Sequence, residues 1–328
     1  MSKKQKVLVT GAGGFIGSHL VETLIEKGYH VRAFLRYTSH NSVGWLEELP
    51  PKYQSCWEPH FGDLTDAGSV REAVRDCDRI FHLAALIGIP YSYVAPGSYV
   101  DVNIRGTLNI LEAARSLLPS RILITSTSEV YGSAQFIPIT EQHPLHPQSP
   151  YAASKIGAES LATSYFHSFG LPVSIVRPFN TFGPRQGNRA ILPSLINQAL
   201  SGDTIRVGNQ NSIRDMVFVK DTVEGILAVA QSDACIGEVT NLATGKGHSV
   251  GQMIDLVKRL VGCNLPVLEE ASRLRPESSE VTRLIGSAQK AEKLTGWKPR
   301  ISLEEGIAQS IPWFRNRKES SADSFYRV

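Results

Sequence analysis

The sequence predicts an α/β protein with a doubly wound parallel sheet and a smaller, interleaved C-terminal domain. Short β-branched runs alternate with longer amphipathic segments through the first half of the 328 residues, a pattern typical of parallel βαβ units. A glycine-rich turn follows the first strand, and the regular alternation stops after Pro178. Helices between consecutive parallel strands cover both faces of one sheet, so this order predicts the doubly wound arrangement.

The alternation assigns the elements of the first domain, which we expect at residues 1–178. The predicted strands are Lys6–Thr10, His30–Leu35, Glu58–Phe61, Arg79–Leu83, Arg121–Thr125 and Val173–Arg177. The predicted helices are Gly14–Lys27, Tyr99–Leu118 and Pro150–Phe169.

Looser patterning after Pro178 predicts a second domain, at residues 179–213 and 243–328. The segment at about 214–242, with a buried strand near Val217–Val219, is expected to return to the first domain. The helices predicted in this half are Ala190–Leu200, Asp221–Ala230, Val250–Val261 and Leu303–Phe314.

Charge and cysteine usage exclude several classes of protein. Lys and Arg total 34 against 31 Asp and Glu, a net charge of +3, which gives no electrostatic case for binding nucleic acid or an anionic membrane. No apolar stretch approaches the ~20 residues that span a bilayer. The four cysteines are scattered without the spacing of a metal site, so we expect reduced thiols, a cytoplasmic location and no bound metal.

The turn after the first strand carries glycines at Gly11, Gly14 and Gly17, with Phe15 and Ile16 between the last two. The spacing is GxxGxxG rather than GxGxxG, but it meets similar demands: a tight turn, close backbone approach and tight packing of helix on strand. The helix that follows offers free N–H groups and a partial positive charge at its start. These five residues are therefore predicted to hold the pyrophosphate of a dinucleotide.

The end of the second strand bears on the choice between NAD and NADP. An acidic residue there holds the ribose 2′-hydroxyl of NAD, whereas an Arg accommodates the 2′-phosphate of NADP. Arg36 ends this strand and no carboxylate precedes Glu47, which favours NADP. Asp63 and Leu64 follow the third strand, where Asp63 could accept from the adenine amino group or belong to a helix N-terminus.

Tyr151 is the one tyrosine with a lysine four residues later, Lys155. On a helix this spacing places both side chains on one face. A lysine ammonium near a phenol stabilises the phenolate and lowers the pKa of the tyrosine. Such a tyrosine can take a proton from a substrate hydroxyl while hydride leaves the same carbon.

Seven segments in this order resemble the extended short-chain dehydrogenase/reductase family, in its nucleotide-sugar branch, over nearly the whole chain. They are GAGGFIG (11–17), HLAA (82–85), NIRGTLNILEAAR (103–115), TSTSEVYG (125–132), SPYAASK (149–155), RPFNTFGPRQ (177–186) and IRDMVFVKD (213–221). The resemblance implies a Rossmann fold with a nicotinamide cofactor, and a nucleotide-diphosphate sugar as substrate.

The resemblance also implies roles for particular residues. Tyr151 and Lys155 correspond to the acid/base pair, Thr127 to the hydroxyl that binds the sugar O4, and Asn103 to a helix residue that supports the lysine through a relay. The segment Leu83, Ala84 and Ala85 corresponds to part of the cofactor site.

A homodimer is expected from the two long helices of the first domain. Both carry apolar residues on more than one face, whereas a helix flanking a sheet needs one apolar stripe. Family dimers form a four-helix bundle from such helices. The residues concerned are Ile104, Leu108, Leu111, Ile156, Leu161 and Phe166.

Glu129 narrows the expected chemistry to a 4,6-dehydratase. A 4-epimerase needs no second base and usually carries a small residue there, whereas a 4,6-dehydratase needs a base for the C5 proton, which the C4 ketone acidifies. Dehydratases carry Thr-Asp-Glu or Thr-Ser-Glu at this place, and here Thr127 is followed by Ser128 and Glu129. Since Ser128 replaces the Asp, Glu129 itself is expected to deliver the proton to the leaving C6 hydroxyl.

Other activities stay open at this point. A nucleotide-sugar 4-epimerase shares nearly every motif, and UDP-glucuronate decarboxylases also carry a Glu in this motif. A non-catalytic sensor of the dinucleotide is a remoter alternative, because it has no need of Thr127, Tyr151 and Lys155. The pattern most resembles dehydratases on pathways to bacterial surface sugars.

Further residues are expected to hold the substrate. Arginine suits a diphosphate because its planar donor fork matches the phosphate oxygens. Tyr91 lies in a segment expected over the sugar. By resemblance the other candidates are Asn180, Arg185, Arg214 and Arg275. The nucleotide base and the sugar are not identified by the sequence.

Overall fold

A parallel seven-stranded sheet lies at the centre of the structure, a computed structural model that describes residues 5–273 and 279–317. In these residues the strands are β1 (Lys6–Thr10), β2 (His30–Arg36), β3 (Trp57–Gly62), β4 (Arg79–His82), β5 (Arg121–Thr125), β6 (Val173–Pro178), β7 (Asn180–Phe182), β8 (Ile205–Val207), β9 (Ile213–Phe218), β10 (Val239–Leu242), β11 (Gly247–Ser249), β12 (Val267–Glu269) and β13 (Arg283–Leu284). The helices are α1 (Phe15–Glu26), α2 (Ala67–Val74), α3 (Ile89–Val94), α4 (Pro96–Tyr99), α5 (Gly106–Leu117), α6 (Pro150–Phe169), α7 (Ile191–Ser201), α8 (Val219–Gln231), α9 (Val250–Val261), α10 (Gln289–Thr295) and α11 (Leu303–Asn316).

The order of strands across the main sheet is β3-β2-β1-β4-β5-β6-β10, and all neighbours are parallel. Along β1, Leu8 faces a core with α2, α5 and α6, while Val7 and Val9 face a core with α1 and α8. Helices therefore cover both faces, and the predicted doubly wound fold is confirmed. The order reverses between β1 and β4, where the carboxyl ends of the strands leave a crevice.

The long helix predicted at Tyr99–Leu118 is not uniform. Its α-helical part is α5, and a π-helical segment at Val100–Arg105 precedes it. Single π turns inside α-helices are uncommon and occur often at functional sites. In this segment the side chain of Asn103 turns inward and bonds both backbone groups of Leu86. The partner of Asn103 lies 17 residues earlier in the chain, so the periodicity of the sequence gives no sign of this π-helical geometry.

The strand predicted at Val217–Val219 is β9, but it does not join the main sheet. It pairs with β7, β11 and β13 in a small four-stranded sheet, and β8 pairs with β12. Val219 instead begins α8, which leads to β10 at the edge of the main sheet. The return to the main sheet therefore starts at α8, while the domain limits as such stay a prediction.

The apolar surplus from which a dimer was inferred is largely used inside the chain. Leu111 is fully buried in the core beneath α2, and Ile156 packs against the cluster around Tyr131. Leu108 and Leu161 are partly buried against the same core as Leu111. The homodimer therefore stays a prediction. Within residues 5–273 and 279–317 no helix is long and apolar enough to cross a membrane.

A buried ion pair fastens α6 to the main sheet. The guanidinium of Arg177 on β6 donates to both carboxylate oxygens of Glu159 on α6, at 2.9 and 2.6 Å. It also donates to the hydroxyl of Tyr131, which donates in turn to the side-chain oxygen of Asn241 on β10. Burial raises the pKa of Tyr131 to about 12, so its hydroxyl keeps the proton that this chain of bonds requires. The guanidinium of Arg177 and the hydroxyl of Tyr131 thus link β6, α6, the segment of Tyr131 and β10.

Arg177→Met tests this arrangement. It leaves the carboxylate of Glu159 buried without its partner, and breaking a buried pair in this way typically costs about 3–5 kcal/mol. We expect urea unfolding to show a loss of that size. The double variant Arg177→Met/Glu159→Met should recover most of the loss, because both charges are then absent. A single variant as stable as the parent chain contradicts this account.

Candidate active site

A cavity of about 1180 Å³ occupies the crevice at the carboxyl edge of the main sheet. Most of the residues predicted from the sequence line it. They are Gly11, Gly14, Phe15, Ile16, Gly17, Arg36, Asp63, Leu64, Leu83, Ala84, Ala85, Tyr91, Thr127, Glu129, Tyr151, Lys155, Asn180 and Arg214. Ser128, Asn103 and Arg185 lie outside its wall, and Arg275 falls outside the described residues.

The glycine turn after β1 fits the pyrophosphate of a dinucleotide. Gly11 has φ +70°, and a Cβ there would lie 2.9 Å from the backbone nitrogen of Ala84. A Cβ on Gly17 would lie 2.1 Å from the carbonyl oxygen of Gly11, so only glycine allows this close packing. Gly14 is the N-cap of α1 and supplies no side-chain cap. The first-turn N–H groups, which have no partner within the helix, are thus left to bind an anion.

The far end of this half of the cavity holds Arg36 and Asp63. The Asp63 carboxylate accepts from the backbone nitrogen and the hydroxyl of Thr65, both at 2.8 Å. These bonds, with a smaller contribution from the charge of Arg36, lower the pKa of Asp63. Arg36 is exposed at the end of β2. Both side chains thus line the end of the cavity where the adenosine of a dinucleotide is expected.

Local capping sets the positions of Tyr151 and Lys155. The side chain of Ser149 accepts from the backbone nitrogen of Ala152 at 3.1 Å and caps α6, with Pro150 in its first turn. Tyr151 therefore lies in the first turn of the helix, and Lys155 lies one turn later on the same face. The hydroxyl of Tyr151 hydrogen-bonds that of Thr127, as the predicted grouping requires.

Burial dominates the electrostatics of this pair. It raises the pKa of Tyr151, with an opposing effect of the hydrogen bond from Thr127 and a further increase from the negative charge of Glu129. Lys155 is also buried, and burial lowers its pKa to about 8. Its ammonium donates to the carbonyl oxygen of Thr125 at 2.7 Å. The pKa of Tyr151 thus moves opposite to the direction predicted from the Tyr-Lys spacing, because desolvation of the phenolate is the largest effect on it.

Glu129 stands beside the Tyr-Thr pair. The hydroxyl of Thr127 accepts from the backbone nitrogen of Glu129 at 3.2 Å and starts a short 3₁₀ turn over Ser128–Tyr131. This turn places Glu129 on the cavity wall, near enough to Tyr151 to affect its titration. Ser128, in contrast, is 1% exposed and lies outside the wall. Ser128 thus has no direct access to the cavity in this geometry, and a catalytic role for it as part of the Thr-Ser-Glu motif stays a prediction.

Asn103 does not contact Lys155. Its side-chain nitrogen donates to the carbonyl oxygen of Leu86 and to the hydroxyl of Ser154, at 3.0 and 2.9 Å. The hydroxyl of Ser154 donates to the carbonyl oxygen of Tyr151. Asn103 thus supports the tyrosine end of the pair through the backbone, while the relay to the lysine that the resemblance implies stays a prediction.

Arg185 is the clearest departure among the predicted substrate ligands. Its guanidinium turns away from the cavity and forms ion pairs with Glu22 on α1 and Glu48, at 3.0 and 3.4 Å. Its backbone has φ +66°, which non-glycine residues rarely adopt. Arg185 therefore fixes a loop to the dinucleotide-binding half, and its side chain does not line the cavity in which a diphosphate was expected.

Sequence reasoning missed three arginines that line the substrate side of the cavity together with Arg214. One precedes α7, one lies within β8 and one follows β12, and none belongs to a recognisable motif, so the sequence carried no signal for them. They are Arg189, Arg206 and Arg273. Three of these four arginines also pair with carboxylates, Arg214 with Glu280 and both Arg206 and Arg273 with Glu270. Arginine is the side chain that best suits a phosphate ligand.

Comparison with known proteins identifies the family. The family model of GDP-mannose 4,6-dehydratase matches residues 8–310. A UDP-glucose 4-epimerase of Methanocaldococcus jannaschii, itself named as putative, is 33% identical over 96% of this chain and all of that protein. A dTDP-glucose 4,6-dehydratase of Actinoplanes sp. is 32% identical over 94% of this chain and 98% of its own length. UDP-glucuronic acid decarboxylase 1 of Xenopus tropicalis is 31% identical over 98% of this chain and 75% of that protein.

The chain belongs to the GDP-mannose 4,6-dehydratase family.

Solved structures agree with this assignment. The dTDP-glucose 4,6-dehydratase of Streptomyces venezuelae, with NAD bound, has a TM-score of 0.86 at 28% identity and covers 95% of this chain and 97% of its own. The UDP-glucose 4-epimerase of Thermotoga maritima, with UDP-glucose, also has a TM-score of 0.86, at 29% identity, and covers 95% of this chain and 99% of its own. The Rossmann fold predicted by resemblance is confirmed. Relatives in the family include dehydratases, epimerases and decarboxylases of nucleotide sugars, so membership alone does not select one activity.

The Lys155→Met variant tests how much the buried ammonium of Lys155 lowers the free energy of unfolding. The pKa of Lys155 is about 8 in the folded chain against an ordinary 10.5. The unfolded chain therefore binds more protons between these values, and parental stability rises with pH across this window. At pH 7 the burial cost is fully present, so we expect Lys155→Met to unfold with a free energy about 2 kcal/mol higher than the parent.

Urea unfolding at pH 7 and at about pH 10 measures this difference. The advantage of Lys155→Met should shrink at the higher pH, because the parental lysine is then neutral when folded. Lys155→Arg is the control that keeps the charge, and it should gain no stability. A Lys155→Met protein that is less stable than the parent at pH 7 contradicts the burial argument.

Proposed function

We propose that the protein is a nucleotide-diphosphate-sugar 4,6-dehydratase that uses a nicotinamide dinucleotide. The observation that carries the proposal is the carboxylate of Glu129 on the wall of the cavity that also holds the bonded pair Thr127 and Tyr151. A second base is superfluous for 4-epimerisation, whereas removal of the C5 proton requires one. Glu129 supplies that base within reach of the same sugar ring.

The residues divide the proposed reaction between two carbons. A bound nicotinamide dinucleotide, held by the glycine turn and the segment Leu83–Ala85, would supply the hydride acceptor for C4 and the hydride donor for C6. Tyr151 takes the proton of the C4 hydroxyl, which Thr127 orients, and a ketone forms at C4. Glu129 then removes the proton at C5, which the ketone acidifies, and passes it to the C6 hydroxyl as the C6–O bond breaks. A proton returns to C5, so one sugar yields one 4-keto-6-deoxy sugar and one water.

The absence of an Asp next to Thr127 supports a single carboxylate with both tasks. Ser128 stands in that position and lies outside the cavity wall, so it offers no acid to the C6 hydroxyl. Glu129 is protonated by C5 immediately before the C6–O bond needs a proton. The order of the two transfers thus matches one residue acting first as base and then as acid.

The substrate side of the cavity supports a nucleotide diphosphate. Arg214 is 7% exposed, and its guanidinium lies 3.8 Å from the carboxylate of Glu280. Asn180 and Tyr91 line the same cavity as this arginine and the catalytic pair. Guanidinium groups bind phosphate oxygens through paired donors, and several lining one wall favour a dianionic group. The proposal also includes a cytoplasmic homodimer, as expected from the sequence.

Glu129→Gln separates dehydration from epimerisation. The amide keeps the shape of the side chain but accepts no proton, and loss of general-base assistance typically lowers the rate ~10²–10⁴-fold. With UDP-, GDP-, CDP- and dTDP-hexoses as substrates, we expect loss of water by mass to fall by that factor. C4 oxidation stays possible, so reduced cofactor should accumulate and be visible by its absorbance.

Tyr151→Phe is the matched control, because it blocks the first step and should suppress the reduced cofactor as well. In the parent enzyme, solvent deuterium should enter C5 of the product. A Glu129→Gln enzyme with parental turnover, or a product without deuterium at C5, removes the dehydratase assignment. The 4-epimerase then becomes the better description, in keeping with the relative from M. jannaschii.

The proposal favours NADP over NAD on account of Arg36. A guanidinium that binds the 2′-phosphate contributes a charged hydrogen bond of about 1.5–3 kcal/mol. Calorimetry should therefore show tighter binding of NADP⁺ than of NAD⁺. Arg36→Ala should weaken NADP⁺ binding at least about 10-fold and leave NAD⁺ binding nearly unchanged. Equal or tighter binding of NAD⁺ by the parent chain contradicts this preference.

A further inference from the structure

A fully buried histidine lies between two threonines beneath the dinucleotide cavity. His82, the last residue of β4, has its Nδ1 2.8 Å from the hydroxyl of Thr10 and its Nε2 3.1 Å from the hydroxyl of Thr107. Thr10 ends β1 and Thr107 lies in the first turn of α5. None of the steps assigned to Tyr151 or Glu129 uses this group.

The neighbouring bonds fix the position of every proton in this group. The hydroxyl of Thr107 lies 2.6 Å from the carbonyl oxygen of Asn103, which only accepts, so Thr107 donates there and accepts from Nε2–H of His82. Nδ1 of His82 is then unprotonated and accepts from the hydroxyl of Thr10. The Thr10 oxygen accepts in turn from the backbone nitrogens of Leu83 and Ala84, both at 3.1 Å.

The group therefore has one tautomer and no spare bonding capacity at Thr10, whose oxygen donates once and accepts twice. Protonation of His82 would require Nδ1 to donate, and Thr10 could accept only by releasing a backbone N–H. Burial, together with the positive charge of Lys155, lowers the pKa of His82 to about 3. His82 is thus neutral at pH 7.

The other end of the group reaches the catalytic helix. Asn103 lies within the π-helical segment, and its carbonyl oxygen accepts from the hydroxyl of Thr107. The side chain of Asn103 accepts from the backbone nitrogen of Leu86 at 2.8 Å and donates to its carbonyl oxygen at 3.0 Å. It also donates to Ser154, which donates to the carbonyl oxygen of Tyr151 at 2.7 Å.

We propose that Thr10, His82 and Thr107 are positioning residues that hold the segment 83–86, which lines the dinucleotide site, in register with the first turn of the catalytic helix. Thr10 fixes the start of the segment at Leu83 and Ala84. Thr107, through Asn103, fixes its end at Leu86. His82 joins the two threonines, so the cavity wall and the backbone of Tyr151 are held by one chain of directed bonds.

The proposal concerns the binding of a dinucleotide and does not depend on dehydration. Segment 83–86 carries Leu83, Ala84 and Ala85 on the cavity wall. Loosening this segment should weaken dinucleotide binding even when the Glu129 experiment fails. The two proposals can therefore fail separately.

Thr107→Val tests the group, with Thr107→Ser as its matched control. Valine keeps the shape and removes the hydroxyl, so Nε2–H of His82 loses its acceptor and the carbonyl of Asn103 loses the hydrogen bond from Thr107. Leaving buried groups unpaired is costly, and we expect the segment to shift so that NADP⁺ and NAD⁺ each bind about 10-fold or more weakly by calorimetry. Serine keeps the hydroxyl and should restore affinity to within about threefold of the parent.

Two further readouts separate positioning from general stability. Spectra of ¹⁵N-histidine-labelled protein should show the parental His82 unprotonated at Nδ1 and protonated at Nε2. Amide exchange at Leu83, Ala84 and Leu86 should be slow in the parent and fast in Thr107→Val, while exchange on β6 is unchanged. If Thr107→Val does not fold, His82→Gln serves instead, since its amide still donates to Thr107 but offers Thr10 no acceptor at the position of Nδ1.

His82→Gln should weaken dinucleotide binding and speed exchange at Leu83 and Ala84 more than at Leu86. Parental affinity for both dinucleotides in folded Thr107→Val or His82→Gln overturns the proposal, as does the opposite tautomer of His82. A lower melting temperature with parental affinity also overturns it, because the group is then a core contact only.

Discussion

The guanidinium of Arg177 determines the relative positions of the segments that form the site. It is bonded to Glu159 on the helix of Tyr151, and to Tyr131 in the turn that carries Glu129. A buried ion pair adds little net stability, since desolvation offsets most of the attraction, but either charge alone is costly in the core. The pair therefore acts mainly on geometry: the chain folds well only when helix, strand and turn meet at this point. The bonded Tyr151–Thr127 pair and the carboxylate of Glu129 follow from that junction.

Elements were predictable from sequence where their ends are encoded locally. The helix Pro150–Phe169 has the predicted bounds because Ser149 caps its start and Gly170, with φ +66°, ends it. The helix Val250–Val261 has them too, with a capping box at Ser249. The helix predicted at 99–118 was not encoded in this way. Its π-helical segment depends on bonds between Asn103 and Leu86, and only the tertiary structure brings those residues together.

The residues of the candidate site also fall into two groups, those predictable from a local motif and those that depend on distant contacts. Residues in the glycine turn and around the Tyr-Lys pair were predictable, because each lies within a short motif next to a strand end. Arg185 was not, because its ion pairs come from Glu22 and Glu48, which are far from it in sequence and give no sign of pairing. The direction in which the pKa of Tyr151 shifts could not be predicted from the sequence either. Spacing shows that Lys155 is near, whereas the degree of burial, which decides the sign, depends on the whole fold.

Burial disfavours the charged form of both Tyr151 and Lys155, and this limits how the proposed acid/base pair can work. It raises the pKa of Tyr151 and lowers that of Lys155, so the chain alone disfavours both the phenolate and the ammonium. Chemistry at a sugar hydroxyl needs the phenolate at one moment and the phenol at the next. A pKa held far to one side by burial can be brought back only by charge or hydrogen bonds that ligands add. The neutral His82 contributes to this balance, because a second cation beside Lys155 would depress the lysine pKa further. The fold thus positions the acid/base pair, while the ligands that complete the cavity make it reactive.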